Sequence, residues 1–319
     1  MDDPRTRSLQ IKAKALELGF LACGVARADR LAEEESNLER WLRAGHNGQM
    51  DWMARNVGMR LDPRELVPGA KSVVSLAYNY FTGAKQADPD APKLSMYAFG
   101  RDYHKVVKQR MKPLMAFIKE QYGDVAMRCF TDSAPILEKA WAQKAGIGWR
   151  GKHTLVIRQG QGSYFFLGEI VLDLDLEPDA PATDHCGTCT RCIDACPTEA
   201  ITPYGLISNK CITYNTIELK GPIPGDAGDF RNWAFGCDIC QQVCPWNRFS
   251  TPHHEPDFAP RRELMELTAD EWHALSEERY ERLFFGSPVK RAKYGGLMRN
   301  LAYLRARSGP SMAQGSADS

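Results

Sequence analysis

Eight of the ten cysteines lie between Cys186 and Cys244, and their spacing specifies a chemistry. Cys186, Cys189, Cys192 and Cys196 form C-x2-C-x2-C-x3-C and run into Pro197; Cys211 stands alone; Cys237, Cys240 and Cys244 end on Pro245. In a C-x2-C-x2-C-x3-C-P run, three thiolates grip one four-iron, four-sulfur cluster and the fourth crosses to a second cluster. The crossover assigns Cys186, Cys189, Cys192 and Cys244 to one 4Fe-4S cluster, and Cys237, Cys240, Cys196 and, by elimination, Cys211 to the other. Soft thiolates suit iron. Zinc is the rival, because paired C-x2-C units also build tetrahedral sites, but a zinc ribbon needs neither the third in-line cysteine nor the Cys-Pro endings. Cys23 and Cys129 stand apart among apolar neighbours and read as buried thiols.

Outside the cysteines, a few residues could do chemistry, and each also has a plain structural use. Asp132-Ser133 precedes an apolar run predicted as a helix over 134–145, so either residue is placed to be its N-cap, with Pro135 in the first turn. An Asp at a strand-to-helix junction is also where mixed α/β proteins place site residues. Arg60, in Arg60-Leu61-Asp62-Pro63-Arg64, reads most simply as a surface salt-bridge cation in a turn. The stretch from Gly146 to Thr154 combines three glycines with Trp149, Arg150, Lys152 and His153, and glycine there would let backbone approach a flat or polyphosphate-like ligand. No G-x-G-x-x-G or Walker pattern accompanies it. Asp102-Tyr103-His104 begins like a cobalt-ligating D-x-H-x-x-G motif, but Val107 stands where glycine is required, so it is not a match. Adjacent His253 and His254 sit in a Pro-rich connector and read as exposed.

The elements that must position these groups are legible from periodicity. Helical spacing covers 8–18, 31–44 and 104–120; an apolar run with β-branched and aromatic residues predicts a buried strand over 72–80, and shorter strands are expected over 20–25 and 128–131. Residues 155–158 and 163–172, joined by Gln159-Gly160-Gln161-Gly162, read as a hairpin. Helices are expected over 262–283 and 288–306. Lys105, Lys108 and Lys112 make one basic stripe, and seven Lys or Arg with no acid between Arg282 and Arg307 make the best local basic patch for nucleic acid. The 41 basic and 40 acidic residues of this 319-residue chain exclude a global polyelectrolyte. With no apolar run long enough to span a membrane and no signal-peptide core, the expectation is a cytoplasmic, reducing setting and no membrane partner. Expected boundaries are 1–175, 176–250 for the cysteine-rich part, 251–308 for a helical segment and 309–319 for a disordered Ser, Gly and Ala-rich tail.

Three stretches together carry a family resemblance: Asp132 to Thr154, the double cysteine motif with Cys211-Ile212-Thr213-Tyr214-Asn215-Thr216-Ile217-Glu218, and Gly236-Cys237-Asp238-Ile239-Cys240-Gln241. From about residue 10 to 305 the chain resembles the epoxyqueuosine reductases. The resemblance implies an α+β protein: an N-terminal α/β cobalamin-binding domain, a bacterial-type ferredoxin domain with two 4Fe-4S clusters and a short C-terminal helical segment. It implies reduction of epoxyqueuosine to queuosine in the tRNA anticodon loop. The implied cofactor is cob(II)alamin bound with its own base detached. Many members carry a helical-repeat extension, so the tRNA grip here is expected to lean on the basic helices. Asp132 resembles the family's proton donor and would need a raised pKa. Arg60, Tyr97, Asp132, His153, Thr213, Glu218, Cys237 and Asp238 match positions near the cofactor or substrate. The implied partners are tRNA carrying epoxyqueuosine and an external flavodoxin- or ferredoxin-like one-electron donor, with the chain a monomer. Two alternatives stand beside this reading: a reductive-dehalogenase-like reductase of another substrate, and a plain ferredoxin-type electron carrier. The first usually begins with a twin-arginine export signal, which is not seen here; the second leaves the large N-terminal part unexplained.

Overall fold

The computed structural model describes residues 3–307, so the expected tail at 309–319 lies outside the described residues. A four-stranded sheet is its centre, in the order Ala22–Arg27, Ser72–Asn79, Phe165–Leu172, Met127–Phe130, with every pair antiparallel. Successive side chains of a strand point to opposite faces, and both faces here are covered. Val74, Leu76, Ile170 and Leu172 pack under the helices Pro4–Glu17 and Tyr103–Tyr122, through Ile11, Val107, Met111 and Leu114. Val73 and Val171, one residue over, face the other way toward Leu61, Phe130 and Trp141. Burial on both sides is why 72–80 is mostly apolar, and its buried Ser72 and Ser75 hydroxyls donate to Leu174 O and to Glu169.

Several expectations about elements change. The first helix begins at Pro4, capped by the Asp3 carboxylate on Thr6 N–H at 2.8 Å, and Leu9 and Leu16 of the apolar pattern are exposed. The 155–172 hairpin does not form: Gln159–Gly162 closes only a bridge between Arg158 and Gly162. Val156–Ile157 instead pairs with Trp149–Arg150, while Phe165–Leu172, buried on both faces, enters the central sheet. The helix expected over 262–283 is three, Arg262–Glu266, Ala269–His273 and Glu277–Leu283. Thr268 and Ser276 each open a new helix as N-cap, Thr268 in a reciprocal capping box with Glu271.

The cysteine-rich segment is fastened to the sheet domain at several points. Trp233–Phe235 pairs in parallel with Lys93–Leu94. Buried Asp238 accepts from Ser95 Oγ at 2.8 Å and Met96 N at 2.7 Å. Glu255, in the following connector, accepts from Tyr78 Oη at 2.5 Å and from Arg110 Nε and Nη2 at 2.7 and 2.9 Å. A second core then joins Leu94 and Phe99 with Trp233 and Phe235 and with Trp272, Tyr280, Leu297 and Leu301 of the C-terminal helices.

Candidate active site

A cleft of about 1700 Å³ opens where these parts meet. Its walls come from the helix Ala32–Arg43, the segments around Arg60, Tyr97–His104 and Asp132–Ala140, the turn 202–206, the helix after Cys211, and Ser287–Arg291. Arg60, Tyr97, Asp132, Thr213 and Glu218 all line it. His153, Cys237 and Asp238 do not. The cleft exceeds the roughly 300–1,000 Å³ of an ordinary small-ligand pocket, so its size suits a macrocycle with part of a substrate beside it.

Asp132 is the polar centre of the cleft, and it is not an N-cap. The helix begins only at Glu138, with Leu137 before it, and Asp132 stands in the preceding loop with φ of 53°. That left-handed backbone is one that Asp tolerates, and Glu138 Oε1 holds it by accepting Asp132 N–H at 2.7 Å. The carboxylate so released meets two partners from the helix Tyr103–Tyr122. Tyr103 Oη donates to Asp132 Oδ2, and His104 Nε2 lies 3.0 Å from the same oxygen. His104 Nδ1 lies 2.7 Å from Asp102 Oδ1, whose carboxylate also caps the helix by accepting His104 N–H. A carboxylate–imidazole–carboxylate line therefore ends at the cleft surface, where the Asp132 side chain is 57% exposed.

The electrostatics correct the expectation of a raised pKa on Asp132. Burial in the walls of the cleft pushes that pKa up, but the hydrogen bonds from His104 and Tyr103 and the charges of His104 and Lys139 outweigh it, and the net direction is down. Burial lowers His104 as well, yet its bonds to Asp102 and Asp132 win and lift it to about 9. The proton of this pair therefore rests on the imidazole at neutral pH. Glu138 is the carboxyl that rises, to about 8, through burial and the adjacent Asp132 charge. The sequence reading set His104 aside because it failed a cobalt-ligand motif. Its available signal was Asp102 two residues earlier, at the N-cap. Both ring nitrogens being engaged, His104 serves the carboxylates.

Arg60 corrects the surface-salt-bridge reading. It is 8% exposed in a short helix, Val57–Leu61, and donates to Trp52 O at 2.7 Å and Arg55 O at 3.3 Å. Among the described residues no carboxylate lies within ion-pair distance of it, so a nearly buried guanidinium borders the cleft with carbonyl partners alone. Glu218, also on the cleft wall, is held by Arg291 Nη2 at 2.8 Å. Asp238, raised to about 6 by burial, acts one step back, because its bonds to Ser95 and Met96 set the turn that carries Tyr97. The glycines at 146–151 are also reassigned. A Cβ on Gly148 would sit 2.1 Å from Ile157 O and one on Gly146 2.7 Å from Ala180 O, so the close approach these two permit is to the protein's own backbone.

The eight thiols fall into two groups. Cys186, Cys189, Cys192 and Cys244 line a separate small cavity of about 50 Å³ together with His153, His185 and Trp246. Burial and then the nearby Cys237 and Cys211 thiols push Cys240 up, and Cys237 is raised to about 12 by burial, with Cys211 and Cys196 contributing. The cavity-lining set is the first set the crossover pattern expects. Among the described residues no three His, Cys, Asp or Glu side chains converge as ligands of a single ion; thiols set around a cavity suit the corners of a multi-iron cage. Cys211 opens the helix Ile212–Ile217, and Thr213 and Ile217 of that helix reach the cleft. Burial pushes His153 down to about 4, leaving it neutral beside the first group.

The C-terminal basic patch is largely committed to the fold. Arg282, Lys290 and Arg291 pair with Glu263, Glu281 and Glu218. Arg299 donates to the carbonyls of Asn215, Leu219 and Gly221. Lys108 of the helical stripe reaches Ser133 Oγ at 3.2 Å, beside Asp132, while Lys105 and Lys112 are exposed.

Comparison with known proteins bears on this arrangement. Residues 60–133 match the family described as epoxyqueuosine reductase QueG, DUF1730, and residues 185–247 match a 4Fe-4S double cluster binding domain. An epoxyqueuosine reductase of Cellulophaga algicola is 52% identical over 96% of this chain and 100% of its own. One from Leadbetterella byssophila is 50% identical over 94% and 99%. A solved epoxyqueuosine reductase with a tRNA-Tyr epoxyqueuosine-modified stem loop superposes with a TM-score of 0.82 at 28% identity, over 94% of this chain and 81% of that one.

Proposed function

The chain belongs to the epoxyqueuosine reductase family, and on that premise we propose that its cleft receives cobalamin and the epoxyqueuosine base of a tRNA anticodon loop. The reaction is reduction of the epoxide to the alkene of queuosine, which takes up two electrons and two protons and releases the oxygen as water. Bound cobalamin supplies low-valent cobalt as the electron-delivering centre; the remaining tasks fall to this chain's residues.

Arg60, Tyr97, Thr213 and Glu218, around the walls, would hold the macrocycle and the base. Arg60 supports this best, as a nearly buried cation with only two carbonyls to satisfy it. His104, engaged at both nitrogens, is not free to serve as a cobalt ligand. Cys186, Cys189, Cys192 and Cys244 would carry one 4Fe-4S cluster and Cys196, Cys211, Cys237 and Cys240 the other, passing electrons inward from a flavodoxin- or ferredoxin-like donor. Cys211 adjoins the cleft-lining Thr213, so the second group is the inner one. The departing epoxide oxygen needs a proton. His104 stores it at Nε2, and Asp132, exposed to the cleft, presents it to the oxygen. Asp102 keeps the imidazole charged and oriented. Among the described residues no helix is long and apolar enough to cross a membrane; a cytoplasmic monomer completes the reading.

The observation that carries the proposal is the meeting of Asp132 and His104 with the helix that follows Cys211 on one cleft. Its test is anaerobic reduction of cluster-reconstituted protein with cobalamin and epoxyqueuosine-bearing tRNA, followed by mass analysis of the nucleosides. Cobalamin-dependent loss of one oxygen is expected. Intact clusters and bound cobalamin without conversion would overturn it.

A further inference from the structure

His153 sits in the turn between the paired strands Trp149–Arg150 and Val156–Ile157 and is 4% exposed. Its Nδ1 accepts the Leu155 N–H at 3.1 Å. Only an unprotonated ring nitrogen can accept, so in the neutral imidazole the proton is on Nε2. That nitrogen is buried and has no hydrogen-bond partner in the protein. A buried donor left without an acceptor is destabilising, and such a group calls for an explanation.

The surroundings suggest one. His153 lines the small cavity shared by Cys186, Cys189, Cys192 and Cys244. The ring is packed in place: a Cβ on Gly151 would come within 3.1 Å of His153 Cε1 and 2.5 Å of Ile157 Cδ1. The next residue ties this turn to the cysteine loop, because Lys152 Nζ donates to Gly187 O at 2.7 Å and Cys189 O at 3.0 Å. The turn and the thiols therefore form one wall, and the orphaned donor belongs to it.

We infer that His153 donates its Nε2–H to a sulfur of the cluster held by Cys186, Cys189, Cys192 and Cys244, and raises that cluster's reduction potential. The inference rests on the reading of these thiols as cluster ligands. When the cluster takes up one electron, no bond breaks and the added charge spreads onto its sulfurs. A donor on a sulfur favours the reduced form, and hydrogen bonds to sulfur are among the levers that set such potentials. This role differs from the corrin or substrate contact that the family resemblance implied for His153. It would make the outer cluster a readier acceptor for electrons from outside.

The test is an EPR-monitored redox titration of the full-length, cluster-reconstituted protein, comparing wild type with H153L and H153Q. H153L should lower the midpoint potential of one cluster and leave the other in place. H153Q, which keeps an N–H donor of similar reach, should recover part of the shift. The shifted signal should be the one that disappears in C244A protein. Unchanged potentials in H153L, or a shift confined to the signal that survives in C244A, would overturn the inference. Should H153L fail to fold, protein with 15N-labelled histidine in an H185Q background reads the same contact as a nitrogen coupling on the outer cluster's signal, and its absence would overturn the proposal. If wild-type protein holds no four-iron cluster at all, the cluster reading fails first and this inference with it.

Discussion

His104 Nε2 and Asp132 Oδ2 lie 3.0 Å apart, and the proton between them belongs at neutral pH to the histidine. In the proposed proton path the donor is this pair, with the storage site on one helix and the delivering oxygen on a loop facing it.

Asp132→Asn should therefore remove delivery without disturbing the scaffold. Asn tolerates the left-handed backbone at this position as well as Asp does, so clusters and cobalamin should be retained. Turnover should fall by about 10²-fold or more. Single-turnover conversion of epoxyqueuosine tRNA measures it, and an unchanged rate would remove Asp132 from the proton path.

The pair also fixes the sign of a pH effect. His104 is raised above its ordinary value, so its charged, paired form is fully populated below the usual histidine range near 6.5 and is lost as pH climbs through about 9. Both turnover and this pair's part of the stability should decline along that alkaline limb. In H104Q the limb near 9 should vanish from the pH dependence of kcat, and its persistence would assign the ionisation elsewhere.

Replacement of single cysteines should separate the two thiol groups. C244A is expected to cost one cluster and C211A the other, each leaving about four irons per chain of the original eight. Iron and sulfide analysis with EPR decides it. Loss of the same signal in both variants would contradict the crossover.

Glu255 predicts acid sensitivity. The carboxylate is buried, and although burial raises its pKa, Arg110 and Tyr78 bring the net direction down. Its contribution to stability is therefore present above the ordinary Glu value and lost as pH falls through the depressed one. Arg110→Ala would leave that charge with the Tyr78 hydroxyl and Asp257 N–H alone; because the Arg110 side chain is half exposed, the cost is on the order of 1–2 kcal/mol, below that of a fully buried pair. Denaturant melts at pH 7 and pH 4 should show a gap between wild type and R110A that narrows in acid.

By itself the sequence determined the cluster chemistry and most of the scaffold. Cysteine spacing is local information, and two short C-P runs point to 4Fe-4S binding before any fold is known, as the match of residues 185–247 to a 4Fe-4S double cluster binding domain bears out. The strand 72–79 and the helix 103–122 were readable because each buries a continuous or periodic apolar face. Tertiary structure decided the rest. Asp132 reads as a helix cap from its neighbours alone, and only Glu138, holding its backbone amide, and the helix carrying His104 turn it toward the cleft. Arg60 reads as a surface cation, yet it is nearly buried against the carbonyls of Trp52 and Arg55. The seven basic residues of 282–307 look free in sequence, but several are paired or bonded to groups far away along the chain, such as Glu218 and the carbonyls of 215–221. Charge, protonation and ligand reach depend on which distant groups come within a few ångströms, and that is set by packing, which no local pattern encodes.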